Sequence, residues 1–289
     1  MNHRKDLFSG TIMPAMDISQ ACERVFPDWK TQRKIDAHMH VPGPPAIFGE
    51  ASYTADDVIR AADALGISQL CVSVPISAGR MAPMDEVRAC NDATLEAMRR
   101  FPDRLLGYCF LIPGYFRESI EEASRCLGEG MIGIKLYNQY RYSEPVLNPI
   151  AEKAIEHRVP ILGHAGHPTD AATQAAQPRC SDAADFCALA HRYPEVMLIE
   201  GHISGGGDWE WTLKALRDCP NVFLDTSGSN MDAETIERCV LELGADRVLF
   251  ATDLSMEAGV GKILSADLDE ETQQKIWWRN MDNILEQRR

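Results

Sequence analysis

The stretch Lys34-Ile-Asp-Ala-His38-Met-His40 decides the reading of this chain. It is a short strand-like run that ends in two histidines. Side chains alternate across a strand, so His38 and His40 share one face, where two imidazoles can hold one metal ion together. Working outward, the same unit recurs along the chain. Strand candidates are Lys34–His38, Ser68–Val74, Leu105–Ile112, Gly133–Tyr137, Pro160–His164, Val196–His202, Val222–Thr226 and Arg247–Asp253.

Amphipathic runs lie between them. Residues 232–243 place Ile236, Cys239, Val240 and Leu243 on one helical face. Residues 55–65 do the same with Val58, Ile59, Ala62 and Leu65, with Thr54 as N-cap and Asp57 in the first turn. Gly66, Gly128 and Gly244 follow helical runs, where a left-handed residue ends a helix. Strict alternation implies parallel strands with right-handed crossovers. Eight such units in 289 residues predict an α/β fold, a (β/α)8 TIM barrel over residues 34–289 behind a short N-terminal extension, residues 1–33. The extension has helical character around Ile18–Val25, and Trp277 to Arg289 reads as a terminal helix. An open doubly wound sheet is the competing fold, but Val41-Pro-Gly-Pro-Pro lacks the glycine pattern that cradles a pyrophosphate.

The formal net charge of −14 disfavours nucleic acid and anionic lipid as partners. No apolar run is long enough to span a bilayer, and no apolar segment follows Met1-Asn-His-Arg-Lys-Asp as in a secretory signal. The nine cysteines, with no CxxC pair, read as free buried thiols of a cytoplasmic protein. The expected partner is a small-molecule substrate, and a homo-oligomer is the common state of soluble enzymes.

In a closed barrel, catalytic groups sit at the C-terminal ends of strands. His38, His40, Lys135, His164, His202 and Asp253 all fall at such ends. Imidazole nitrogen and carboxylate oxygen suit zinc and similar divalent ions. Asp225 ends the seventh strand and reads either as a group that orients a ligand histidine or as a turn former. Asp36 reads as structural and His167 as a loop residue. His157 and His191 lie late in helices, where a cation suits the helix dipole. Tyr137 and Arg141, in the loop after the fourth strand, suit a planar or carboxylated substrate. Residues 168–179, rich in alanine and glutamine, read as a lid.

The motifs IDAHMH at 35–40, GIKLY at 133–137, LGHAG at 162–166, EGHISGG at 200–206 and LFATDLS at 249–255 resemble those of the amidohydrolase superfamily. Within it the chain is similar to the amidohydrolase-2 branch, which holds hydrolases and non-oxidative decarboxylases such as aminocarboxymuconate semialdehyde decarboxylase. The resemblance implies a divalent metal, zinc first and manganese as the alternative. His38, His40 and His164 would ligate it. Asp253 would ligate it, or sit beside it and take a proton from water. His202 would polarise the substrate, shuttle protons or complete a second metal site. Lys135 stands where binuclear relatives carry a carboxylated, metal-bridging lysine; pairing with a carboxylate or gripping an anionic substrate are its plainer roles. Leu254-Ser255 departs from the aromatic and proline that many relatives carry after the aspartate.

The first functional expectation is therefore hydrolysis of an amide, ester or lactone by metal-activated water. The alternatives are non-oxidative decarboxylation of a small, possibly aromatic, carboxylic acid, a metal-free lactonase, and a non-catalytic barrel that binds a metal or a partner.

Overall fold

The computed structural model of the protein describes residues 28–44, 53–77, 79–203, 208–228 and 232–288. The expected helical turn at Ile18–Val25 lies outside them. Eight strands, β1 (Ile35–His40), β2 (Gln69–Ser73), β3 (Leu105–Phe110), β4 (Gly133–Leu136), β5 (Ile161–Gly163), β6 (Leu198–Glu200), β7 (Val222–Asp225) and β8 (Val248–Leu249), pair in parallel in sequence order. The ring closes where Ala37 N–H donates to Phe250 O at 2.9 Å and Asp253 N–H donates to His38 O at 2.8 Å. The (β/α)8 barrel is therefore the observed fold, and the open sheet is excluded.

The helices are α1 (Ala55–Ala64), α2 (Met84–Arg100), α3 (Phe116–Gly128), α4 (Asn148–His157), α5 (Ala171–Ala176), α6 (Ala183–Arg192), α7 (Trp209–Leu216), α8 (Thr235–Leu243), α9 (Met256–Ser265), α10 (Glu270–Gln274) and α11 (Asn280–Glu286). Thr54 caps α1 as expected: its hydroxyl accepts the Asp57 N–H, and the Asp57 carboxylate accepts the Thr54 N–H. Gly66 and Gly244 take left-handed φ of 67° and 86°. Gly128 does not. It stays inside α3, and Gly130, with φ 104°, makes the turn two residues later. The terminal helix begins before Trp277. Α10 runs through a π turn at Lys275–Arg279 into α11. That turn leaves the Ile276 carbonyl to accept the Phe250 N–H at 3.0 Å, while Asn280 Nδ2 donates to Val248 O at 2.8 Å. The end of the chain thus holds β8 in register.

Two apolar layers follow from strand alternation. Outward residues such as Val72, Ile134, Ile161, Leu198, Leu224 and Phe250 pack under the helices. Inward residues, among them Ile35, Ala37, Tyr108, Leu162, Ile199 and Leu249, fill the lumen, with Met281 and Ile284 of α11 against them. The lumen is therefore a packed plug, and polar groups are left to the opposite rim.

Strand β1 breaks strict alternation. Its pairing with β2 shifts register between Asp36 and Met39. The shift lets Ala37 join the lumen and still turns His38 inward. Asp36 faces away from the lumen, where its carboxylate accepts N–H groups of His38 at 3.0 Å and Thr252 at 3.1 Å and the Thr252 hydroxyl. Asp36 is structural, as expected. Burial raises its pKa to about 7, against these hydrogen bonds.

One cysteine reading is corrected. Cys187 and Cys219 form a disulfide with Cα atoms 5.8 Å apart. Helix α6 packs beside α7 and the turn that follows it, bringing together residues 32 apart in sequence. Cys71, Cys90, Cys109, Cys126, Cys180 and Cys239 are buried free thiols. No helix of the described residues is long and apolar enough to cross a membrane.

A buried polar knot ties α2 and α3 to β3. Asn91 Nδ2 donates to Phe110 O at 3.0 Å and to Glu122 Oε1 at 2.9 Å, and Arg125 donates to both Glu122 oxygens. Burial pushes the Glu122 carboxyl up, but the bonds from Arg125 and Asn91 outweigh it and hold it below its ordinary 4.5. Glu122→Gln is expected to cost about 1–3 kcal/mol at neutral pH. Because the folded value is depressed, this contribution is complete above the ordinary value and is lost as pH falls through the depressed one. Denaturant titrations of the two proteins should therefore converge in acid; a gap independent of pH would contradict this account.

Candidate metal centre and active site

Four imidazoles, one carboxylate and one ammonium meet at the C-terminal rim of the barrel. His38 and His40 come from β1, Lys135 from β4, His164 follows β5, His202 follows β6 and Asp253 follows β8. Asp253 is the hub. Its Oδ1 lies 3.0 Å from His40 Nε2 and 3.8 Å from His38 Nε2, and its Oδ2 lies 3.0 Å from His202 Nε2. The ligand atoms of His38, His202 and Asp253 all fall within 4.8 Å of one another.

The far side of each ring is fixed. His38 Nδ1 meets Asp225 Oδ2 at 2.8 Å, His40 Nδ1 meets Ser73 O at 3.2 Å and His202 Nδ1 meets Ala165 O at 3.1 Å. For His38 and His202 the partner is an acceptor only, so Nδ1 carries a proton, whereas His40 Nδ1 also lies 3.2 Å from the Ser73 hydroxyl; each Nε2 is left to face Asp253, with a lone pair or with a second proton. Lone pairs facing a carboxylate at 3.0 Å need a proton or a cation between them. Bonds of ~2.0–2.2 Å to one shared ion put neighbouring ligand atoms roughly 3.0–3.5 Å apart. The donor set therefore fits a divalent cation. Asp225 takes the orienting role weighed for it: besides His38, it accepts the His202 N–H at 2.8 Å through Oδ1.

Lys135 is fully buried, with Nζ 2.8 Å from His38 Nε2. Burial lowers its pKa to about 8. Burial and the Lys135 charge lower His38 to about 4. Burial pulls His202 down, but Asp253 outweighs it and the net shift is upward. Burial works against the charge on Asp253, yet His38, His202 and His40 hold its carboxyl far below the usual range.

Backbone strain gathers at the same place. Among the described residues other than glycine, left-handed φ occurs at His202 (67°), Asp253 (44°) and Leu254 (72°), as well as at three positions elsewhere. Such strain persists where surrounding structure overrides it, commonly at functional sites.

The remaining expected site residues divide. His164 stacks on Tyr137 with centroids 4.0 Å apart and sits 4.6 Å from the His202 ring, but its Nε2 lies 3.0 Å from Gln177 Oε1 and not on Asp253. Arg141 does not join the cluster. Its guanidinium pairs with Asp185 at 3.1 Å and donates to Pro178 O at 3.0 Å. His167 is a loop residue, 3.1 Å from Asp182 and stacked on Trp211. Sequence reasoning missed Gln177, which lies in an alanine-rich run without a distinctive signal. It also missed Tyr53, whose pKa is raised by burial and by the nearby Asp253 charge.

A cavity of about 270 Å³ opens beside this cluster, lined by His164, His202, Asp253, Thr173 and Gln177 among others. It lies just below the ~300–1,000 Å³ typical of ligand pockets, which suits a single-ring molecule. A larger crevice of about 540 Å³ between α8 and α9 has none of the converging imidazoles.

The amidohydrolase family model (Amidohydro_2) matches residues 35–280. The chain belongs to this family. A curated relative, the gamma-resorcylate decarboxylase of Polaromonas sp. (strain JS666 / ATCC BAA-500), is 29% identical over 119 residues, which is 34% of this chain and 36% of the relative. The match thus spans about a third of that relative's length. Several solved structures share the fold. The 2,6-dihydroxybenzoate decarboxylase from Rhizobium superposes with a TM-score of 0.67 at 19% identity over 88% of this chain and 98% of that one. The 5-carboxyvanillate decarboxylase from Sphingomonas paucimobilis gives 0.71 at 16% over 88% and 99%. A dihydroxybenzoic acid decarboxylase from Polaromonas sp. JS666, with bound manganese and the inhibitor 2-nitroresorcinol, gives 0.67 at 20% over 89% and 97%.

Asp225→Asn is expected to weaken zinc or manganese binding about 10- to 100-fold by loosening His38. Competition with a chromophoric chelator measures this; unchanged affinity would contradict the orienting role.

Proposed function

We propose that this amidohydrolase-family protein is a metal-dependent, non-oxidative decarboxylase of small aromatic carboxylic acids. The observation that carries the proposal is the division of labour at Asp253. One carboxylate oxygen faces His40 and His38, and the other faces His202. The relatives favour this reading over the hydrolytic one, because the curated match and the similar solved structures named above are decarboxylases of aromatic acids.

His38, His40 and Asp253 Oδ1 would hold the divalent cation, with His202 Nε2 within reach of it. When bound, that ion supplies positive charge that orients the oxygens of the acid and stabilises negative charge on them. His202 holds the proton. Both of its ring nitrogens have acceptors, Ala165 O and Asp253 Oδ2, so the doubly protonated ring is fully hydrogen-bonded. The carbon–carbon bond to the carboxylate breaks, carbon dioxide leaves, and the electron pair stays on the ring carbon. The proton of His202 forms the new carbon–hydrogen bond, and solvent restores it. Tyr137, stacked on His164, provides an aromatic wall beside the cavity. In this reading Lys135 carries no modification, and its ammonium would give up His38 Nε2, now 2.8 Å away, when that nitrogen takes the cation.

Turnover of 2,6-dihydroxybenzoate or a related acid in D2O is expected to place one deuterium, read by NMR, on the carbon that bore the carboxylate, with equimolar carbon dioxide. His202→Asn should lower kcat about 10²- to 10⁴-fold while metal content is retained. Hydrolysis of esters or lactones by a protein that leaves such acids untouched would overturn the proposal.

A further inference from the structure

Residues 168–179 cross the mouth of the cavity with little apolar anchorage, since α5 within them buries no residue. Polar contacts at their C-terminal end hold them. Arg179 Nη1 donates to Gln139 O at 2.8 Å and Arg141 Nη2 donates to Pro178 O at 3.0 Å. Gln177 Oε1 accepts from Asn138 Nδ2 at 3.0 Å and faces His164 Nε2 at the same distance.

An amide oxygen held by the Asn138 amide and set against the His164 imidazole fixes the plane of the side chain, and so the direction of its nitrogen. The two N–H groups of Gln177 have no partner among the described residues, and Gln177 lines the cavity together with His202 and Asp253. A carboxylate drawn into this cavity by the cation still lies beside the Asp253 carboxylate, and its oxygens turned away from the cation need donors from the cavity wall. Arg141, the residue that sequence chemistry favours for that task, is committed to Asp185. Of the neutral donors on the cavity wall, which include the Thr173 and Ser255 hydroxyls, Gln177 is the one whose side chain is held in place by Asn138 and His164.

We propose that Gln177 binds the carboxylate of the substrate through its amide nitrogen, and that this contact makes the site prefer the acid over its decarboxylated product. The inference rests on the aromatic-acid reading above. Loss of carbon dioxide removes the acceptor, so the contact holds substrate and releases product.

Two variants of the metal-loaded full chain test it. Gln177→Glu keeps an oxygen for Asn138 and His164 but replaces both donors with negative charge. Gln177→Leu removes donors and acceptor. The Glu variant should raise KM for the acid, and its Kd by isothermal titration calorimetry, about 10- to 100-fold. The Leu variant should raise both less, because it adds no repulsion. In the Glu variant kcat/KM should fall mainly through KM, the pattern of binding lost alike from ground state and transition state. The inhibition constant of the decarboxylated phenol should not move, which also reports an intact site. A Glu variant with wild-type KM and Kd for an acid that the wild type converts would overturn the assignment of Gln177 alone. An equal loss for acid and phenol would assign Gln177 a packing role and overturn it too. A wild type that neither converts nor binds aromatic acids would defeat the functional reading, and this inference with it.

Discussion

The seam between β8 and β1 is the constraint on which the site depends. Asp253 donates its backbone N–H to His38 O, and its side chain then turns back to meet His38, His40 and His202. One residue thus closes the barrel and gathers the imidazoles. The same seam carries Asp36, whose buried carboxylate binds the backbone of His38 and both the backbone and hydroxyl of Thr252. These contacts hold Asp253 and Leu254 in left-handed conformations that side chains other than glycine rarely adopt. The C-terminal π turn supports the arrangement from the other side through Phe250.

A second support comes from Asp225. Its Oδ2 fixes the His38 ring and its Oδ1 holds the His202 backbone, while Ser227 also donates to it through both N–H and hydroxyl. Burial works against its charge, but His38, His202 and the Ser227 hydrogen bonds outweigh it and hold its carboxyl well below the usual range. A charged Asp225 keeps the Nδ1 proton on His38 and the lone pair on Nε2. The metal-binding capacity of the front of the site is therefore set by hydrogen bonds behind it.

Much of this was legible in sequence because barrels convert periodicity into position. Eight apolar runs alternating with amphipathic ones define the strand ends, and strand ends define the rim. That logic brings His38, His40, Lys135, His202 and Asp253 together from four separate segments. It runs short where three-dimensional contact decides. Arg141 looks like a carboxylate binder, but the neighbouring α6 offers it Asp185 first. The Cys187–Cys219 pair depends on how two helices pack, which no spacing reveals. Gln177 belongs to a run with no periodic face, and only the fold sets it beside His164. The register shift of β1 was hidden for a similar reason: it exists because Asp36 finds Thr252, a residue of the opposite end of the chain.

The most direct test of the account is the metal content of the purified protein by elemental mass spectrometry, set against a His38→Ala, His40→Ala double variant. The account predicts about one divalent ion per chain in the wild type and its loss in the variant. A wild type that holds no metal, even after incubation with zinc or manganese, would contradict it.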